Sequence, residues 1–180
     1  MKYLQPLFVL FLLTVSLSVQ AQDTVVTASV QGYVFKPAHV EPTDVRVQQL
    51  TVPQGFTIQK FAEGLGKPRM LVVHDDSTVY VTRRAGDVLM LRDTNGDGQA
   101  DVTKTVWKKD QVHGIALKDN QMYLVTVNEV FRADIKPDGT IKEPKQIMKD
   151  LPDGGQHPNR TIEFGPDGKL YVSVGSTCNA

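Results

Sequence analysis

The chain has 180 residues, 20 Lys and Arg against 20 Asp and Glu, no net formal charge and 41% apolar content. That balance excludes a nucleic-acid binder built on a basic stripe and a protein held to lipid by a polybasic patch. With Cys178 as its one cysteine, the chain cannot be braced by internal disulfides.

Residues 1–21, MKYLQPLFVLFLLTVSLSVQA, have the three parts of a secretory signal: Lys2, an apolar run from Leu7 to Val15, and the small-residue cleavage motif Val19-Gln20-Ala21. The apolar run is short for a stable bilayer span, so a membrane anchor is the lesser reading. The expected mature protein starts at Gln22, is exported to the periplasm or the medium, and has no transmembrane anchor. Residues 22–50 show no strand pattern and read as a lead-in, extended or tethering.

From residue 51 onward, short apolar bursts alternate between Gly, Asp, Asn and Pro clusters, and no stretch keeps a helical period over three turns. The strands expected in chain order are Met70 to Val73, Val79 to Thr82, Val88 to Leu91 and Thr103 to Trp107. Next come Ile115 to Leu117, Met122 to Val127 and Val130 to Ala133, then Ile162 to Phe164 and Leu170 to Val174. Between the third and fourth lies DTNGDGQAD, with oxygen-bearing Asp93, Asn95, Asp97 and Asp101 at the first, third, fifth and ninth positions of a calcium loop. Lys104 stands where the bidentate Glu of an EF-hand belongs, which excludes that motif. A weaker structural calcium site remains, against the alternative of a polar hairpin that favours Asn-Gly and Asp-Gly by turn geometry alone.

Three segments repeat: PRMLVVHDDSTVYVTRRAGDVLML, HGIALKDNQMYLVTVNEVFRADI and RTIEFGPDGKLYVSVGS. Their tyrosines, Tyr80, Tyr123 and Tyr171, recur at intervals of 43 and 48 residues, the length of a four-stranded propeller blade. The expected fold is all-β: the N-terminal portion of a β-propeller over residues 51–180, about two and a half blades, where a closed propeller takes about four to eight. The chain would then be the first part of a longer protein, since an open arc leaves a bare strand edge. A two-sheet sandwich is the competing architecture.

Inner strands of a propeller open on its channel mouth, where ligands bind. The repeat puts Arg69, His113 and Arg160 at the same place in successive segments. Three such side chains around one axis would attract an anion with several carboxylates; alternatively the arginines pair with acidic residues between blades. His157 lies three residues before Arg160 in a Gly-rich loop, suited to accept a hydroxyl proton near neutral pH or simply to be a hydrogen-bonded loop residue.

The run LPDGGQHPNRTIEFGPDGKLYVSVGSTCNA, with PQGFTIQKFAEGLGKPRMLVV upstream, resembles the glucose/sorbosone dehydrogenase family of exported, pyrroloquinoline quinone-dependent sugar dehydrogenases. The resemblance runs from about Val52 to the end and is most specific in the last thirty residues. It implies a six-bladed propeller and makes His157, separated by the seven residues PNRTIEF from the Gly165-Pro166-Asp167 turn, the general base of sugar oxidation. Arg160, His113 and Arg69 would contact the cofactor. It also implies a calcium ion and further basic residues on later blades, and a second cysteine after STCNA to pair with Cys178; a free thiol is the alternative. Gln156 departs from the Asp that the glucose dehydrogenase branch carries just before its histidine, so the sorbosone-like branch is the nearer. The expected substrate is an aldose or sorbosone-like sugar, and the electron acceptor is not indicated. A metal-dependent sugar lactonase and a non-catalytic binding propeller are the rival functions.

Overall fold

The computed structural model describes residues 35–152 and 155–176. The chain divides at Glu41/Pro42 into two units. In the first unit the described residues, 35–41, carry no regular element. Among the described residues, all helix and strand belongs to the second unit. The expected signal sequence and Cys178 lie outside the described residues.

One helical turn, α1 (Asp44–Gln48), opens the second unit. Thr43 caps it in extended backbone, its hydroxyl accepting from the Arg46 N–H, and Asp44 occupies the first turn. The lead-in therefore contains a short helix that its sequence did not announce. No helix among the described residues is long and apolar enough to cross a membrane.

Among the described residues, all other regular structure is antiparallel β. The first sheet runs β1 (Pro68–Val73), β2 (Val79–Arg83), β3 (Asp87–Arg92), β4 (Val102–Lys108) in that order. The second runs β5 (Gly114–Lys118), β6 (Gln121–Val125), β7 (Val130–Asp134), β8 (Lys145–Met148). The third pairs β9 (Arg160–Phe164) with β10 (Leu170–Val174). Each sheet is a meander of the kind a propeller blade requires. The turns explain the registers: Asp119 and Asn120 both take positive φ, 50° and 58°, giving the two-residue hairpin that pairs Lys118 with Gln121. In the third sheet the Gly168 N–H closes on the Gly165 carbonyl at 2.9 Å, with Gly168 at φ 75°.

The blades join through apolar layers. Tyr80, Val88 and Met90 of the first sheet pack on Ile115, Met122, Leu124 and Phe131 of the second. Trp107 meets Phe131 edge-on at 5.1 Å, so both pack between sheets as expected. The second sheet meets the third through Ala116, Val125, Val130 and Ile162, with Tyr123 against Phe164 at 4.8 Å. Phe61, Ala62 and Leu65 cover Val81, Leu89 and Leu91 on the first sheet. Inner strands β1, β5 and β9 lie side by side. Gly114 makes the β5–β9 approach possible, because a Cβ there would stand 2.6 Å from Val125 Cγ1 and 2.8 Å from the Arg160 carbonyl oxygen. The chain thus holds two full blades and an inner hairpin of a third, a β-propeller arrangement rather than a sandwich.

Candidate functional site

The starts of the inner strands border a cleft of about 570 Å3. Its lining includes the guanidinium groups of Arg69 and Arg84 and the imidazole of His113, and Gln111, Gln156 and Asn159 add amide groups. No acidic side chain lines it among the described residues, so the cleft is electropositive and rich in hydrogen-bond donors. Gln111 holds φ 63°, uncommon for a non-glycine residue.

Arg69 is exposed on β1. Arg84 follows β2 in the pair Arg83-Arg84, whose members part ways. Arg83 is committed to Asp87 through a two-point ion pair, with Nε 2.8 Å from Oδ1, while Arg84 lines the cleft. Sequence reasoning missed Arg84 because it compared only the starts of inner strands; the doubled arginine at a strand end was the available signal.

His113, just before β5, is half-buried. Its carbonyl accepts a 2.6 Å bond from the fully buried Thr82 hydroxyl, which also receives the Met70 N–H at 3.2 Å. Its Nδ1 lies 2.8 Å from the carbonyl oxygen of Arg160. A carbonyl can only accept, so Nδ1 carries the hydrogen and Nε2 is left with its lone pair. Burial pushes the imidazole below its ordinary value of 6.5, the Arg69 charge acts in the same direction, and the bond to Arg160 opposes both. His113 is thus a neutral hydrogen-bonding group near pH 7 rather than a third cation.

Arg160, the first residue of β9, is fully buried. Its Nη2 donates to the Pro152 carbonyl at 2.6 Å, and its Nη1 to the carbonyls of His157 at 3.0 Å and Asn159 at 3.3 Å. The repeat led us to expect Arg69 and Arg160 in matching roles at the cleft mouth; the structure separates them, one exposed and one buried under the His157 loop. His157 itself is exposed, and its neighbours Gln156, Pro158 and Asn159 form the adjoining cleft wall.

The Asp93 to Asp101 loop lies away from this cleft. Asp93 accepts the Gly96 and Gly98 N–H groups at 2.7 Å each and that of Asn95 at 3.2 Å. Asp97 accepts from Gln99, and Asp101 from the Thr94 hydroxyl and N–H. The bond from the Gly98 N–H, with those from Gly96 and Asn95, holds the Asp93 carboxyl below its usual range against the opposing effect of desolvation. Among the described residues no three His, Cys, Asp or Glu side chains are grouped to hold a metal ion. In this structure the Asp93 and Asp101 carboxylates close the hairpin through these bonds.

Blades of this kind place the chain among the β-propellers, and comparison with known proteins narrows the class. Residues 50–180 match the TrAA12-like family, and the chain belongs to it. None of the curated proteins matches. Among solved structures, the chain resembles the Trichoderma reesei carbohydrate-active enzyme of family AA12 at 21% identity and a TM-score of 0.62, over 71% of this chain and 35% of that one. It also resembles the pyrroloquinoline quinone domain of pyranose dehydrogenase from Coprinopsis cinerea, at 19% identity and a TM-score of 0.63, over 71% and 32%. A third is the quinone-bound aldose sugar dehydrogenase of Streptomyces coelicolor, at 18% identity and a TM-score of 0.53, over 68% and 42%. The chain spans 32 to 42% of the length of these structures, and at such identities the likeness is one of fold.

Proposed function

We propose that this chain supplies the first blades and the proton-accepting face of an exported, pyrroloquinoline quinone-dependent sugar dehydrogenase. The observation that carries the reading is the cleft itself: Arg69, Arg84 and His113 converge with the His157 loop at the mouth of the inner strands. The donor set fits the cofactor. Two guanidinium groups and several amides, with no carboxylate among them, suit a ligand bearing several carboxylates and carbonyls.

When bound, the quinone supplies the acceptor for the hydride that leaves the sugar carbon. The chain's own residues do the rest. Arg69 and Arg84 attract and pair with carboxylates at the cleft mouth. Neutral His113 keeps an Nε2 lone pair for a hydroxyl or N–H donor. Gln156 and Asn159 offer amides to sugar hydroxyls. The imidazole of His157 takes the proton of the anomeric or aldehyde-hydrate hydroxyl. Gln156 stands beside that histidine and brings no negative charge, which favours an aldose or sorbosone-like substrate over the narrower glucose reading.

A calcium structure of the Trichoderma reesei enzyme, at 22% identity and a TM-score of 0.58 over 66% of this chain and 32% of that one, supports a calcium requirement in the whole protein. The leader at residues 1–21 supports export.

The test is dye reduction by the full-length protein loaded with calcium and quinone and given aldoses. Sugar-dependent reduction that requires the quinone is the expected result. Hydrolysis of a sugar lactone without quinone, or binding without turnover, would replace the reading with one of its rivals.

A further inference from the structure

Arg160 is the largest fully buried side chain among the described residues. Taking a guanidinium out of water is costly unless its N–H groups are met by acceptors. Here the two terminal nitrogens are met by main-chain carbonyls on both arms of one loop, Nη2 by Pro152 at 2.6 Å on the incoming arm and Nη1 by His157 at 3.0 Å and Asn159 at 3.3 Å on the outgoing one, while the buried Nε has no acceptor among the described residues. The loop also has a second support. Gly175, directly after β10, faces His157 so closely that a Cβ on it would stand 2.8 Å from the His157 Cβ and 2.9 Å from its carbonyl oxygen. On the β5 side, the Arg160 carbonyl fixes Nδ1 of His113 at 2.8 Å.

We propose that Arg160 is a positioning residue for the proton-transfer site: its side chain holds the backbone of His157, and its main-chain carbonyl sets the imidazole of His113. One residue thereby fixes His113 in the cleft lining and the backbone of His157 in the loop whose other members form the adjoining wall, and Gly175 completes the seat by leaving room for His157. The inference rests on the reading of His157 as the base. Arg160 touches neither sugar nor quinone; it acts through the loop. A misplacement of about 1 Å at a reacting group is enough to cost on the order of 10²-fold in turnover.

The experiment compares Arg160→Lys, Gly175→Ala and His157→Asn with the parent in the full-length protein. Amide hydrogen exchange of residues 155–159 is read without quinone or sugar, and kcat and the quinone Kd are read with them. For Arg160→Lys the expected result is exchange in that segment faster by roughly 10-fold or more, as loss of charge-assisted bonds to a loop implies. A kcat lower by about 10²-fold should accompany it, with the quinone Kd within a few-fold of the parent. Parental exchange, parental kcat despite faster exchange, or loss of quinone binding with the loop unchanged would each overturn the proposal. If Arg160→Lys fails to fold, Gly175→Ala decides: lowered kcat at an unchanged melting temperature supports the seat, and parental kcat overturns it. Full activity in His157→Asn would sink the base assignment separately, since the exchange measurement still reports whether Arg160 holds the loop.

Discussion

The hydroxyl of Tyr80 donates a 2.7 Å hydrogen bond to the carbonyl of Gly139, from the first blade to the second, and both residues are buried. Burial also pushes the Tyr80 phenol up to about 12, with the nearby Asp76 charge adding to it, so it stays a neutral donor at any working pH. Tyr171 occupies the same place in the third repeat, yet it is exposed and reaches only Asp167. Tyr80→Phe should therefore cost about 1–2 kcal/mol by leaving a buried carbonyl without its partner, while Tyr171→Phe changes little. Urea unfolding of the two variants checks the contrast.

Gly114 lies where β5 crosses closest to β9. A methyl group there would press on Val125 Cγ1 at 2.6 Å, the Arg160 carbonyl at 2.8 Å and Thr161 Cα at 3.0 Å, two of the three being main chain that cannot swing aside. Gly114→Ala is expected to destabilise by about 1–3 kcal/mol, and it should also disturb the Arg160–His113 bond. Denaturant midpoints measure the first effect and the His113 imidazole resonances the second.

His113 sets a pH dependence of known sign. Its folded value lies below the unfolded one, chiefly through burial. The stability it contributes is present above the ordinary value of about 6.5 and is lost as pH falls through the lowered folded value. Melting temperature should therefore hold near pH 7 to 8 and decline below about 6.5, and His113→Gln should flatten that slope. A slope of opposite sign in the parent would contradict the neutral imidazole.

A second acid-sensitive contact joins the blades. His74 Nδ1 lies 2.9 Å from Asp76 Oδ1 and its Nε2 3.0 Å from Asn120 Oδ1 on the second blade; the Asn120 amide nitrogen donates to the Ile135 carbonyl at 3.1 Å. Burial alone would raise Asp76, but bonds from the Thr78 N–H and from His74 outweigh it and hold the carboxyl at about 2. The stabilisation is thus full above 3.8 and lost as pH falls toward about 2. Asp76→Asn should remove that acid transition in a thermal scan between those limits.

The strands were legible because alternation and Gly-Asp turns mark each edge, and the tyrosine repeat set the blade length. β8 was not. Its four residues, Lys145–Met148, are all exposed, so no buried face imprinted a pattern on KQIM. α1 escaped for lack of length, being five residues long. The cleft was half legible. Repeat alignment found Arg69, His113 and Arg160 but could not tell which way each pointed. β1 shifts register between Pro68 and Leu71, the very place of Arg69, whereas β9 pairs without interruption, so equal positions in the repeat end on different sides. His113 looked cationic in sequence because its tautomer and burial are set by a carbonyl 47 positions away.

The proposed function turns on His157 accepting the sugar proton in a quinone-dependent oxidation. The decisive comparison is kcat and quinone affinity of His157→Ala beside the parent, in the full-length protein loaded with calcium and pyrroloquinoline quinone. A general base at His157 predicts kcat lower by about 10²- to 10⁴-fold in the variant, with quinone Kd nearly unchanged. Dye reduction by His157→Ala at the parental rate would contradict it.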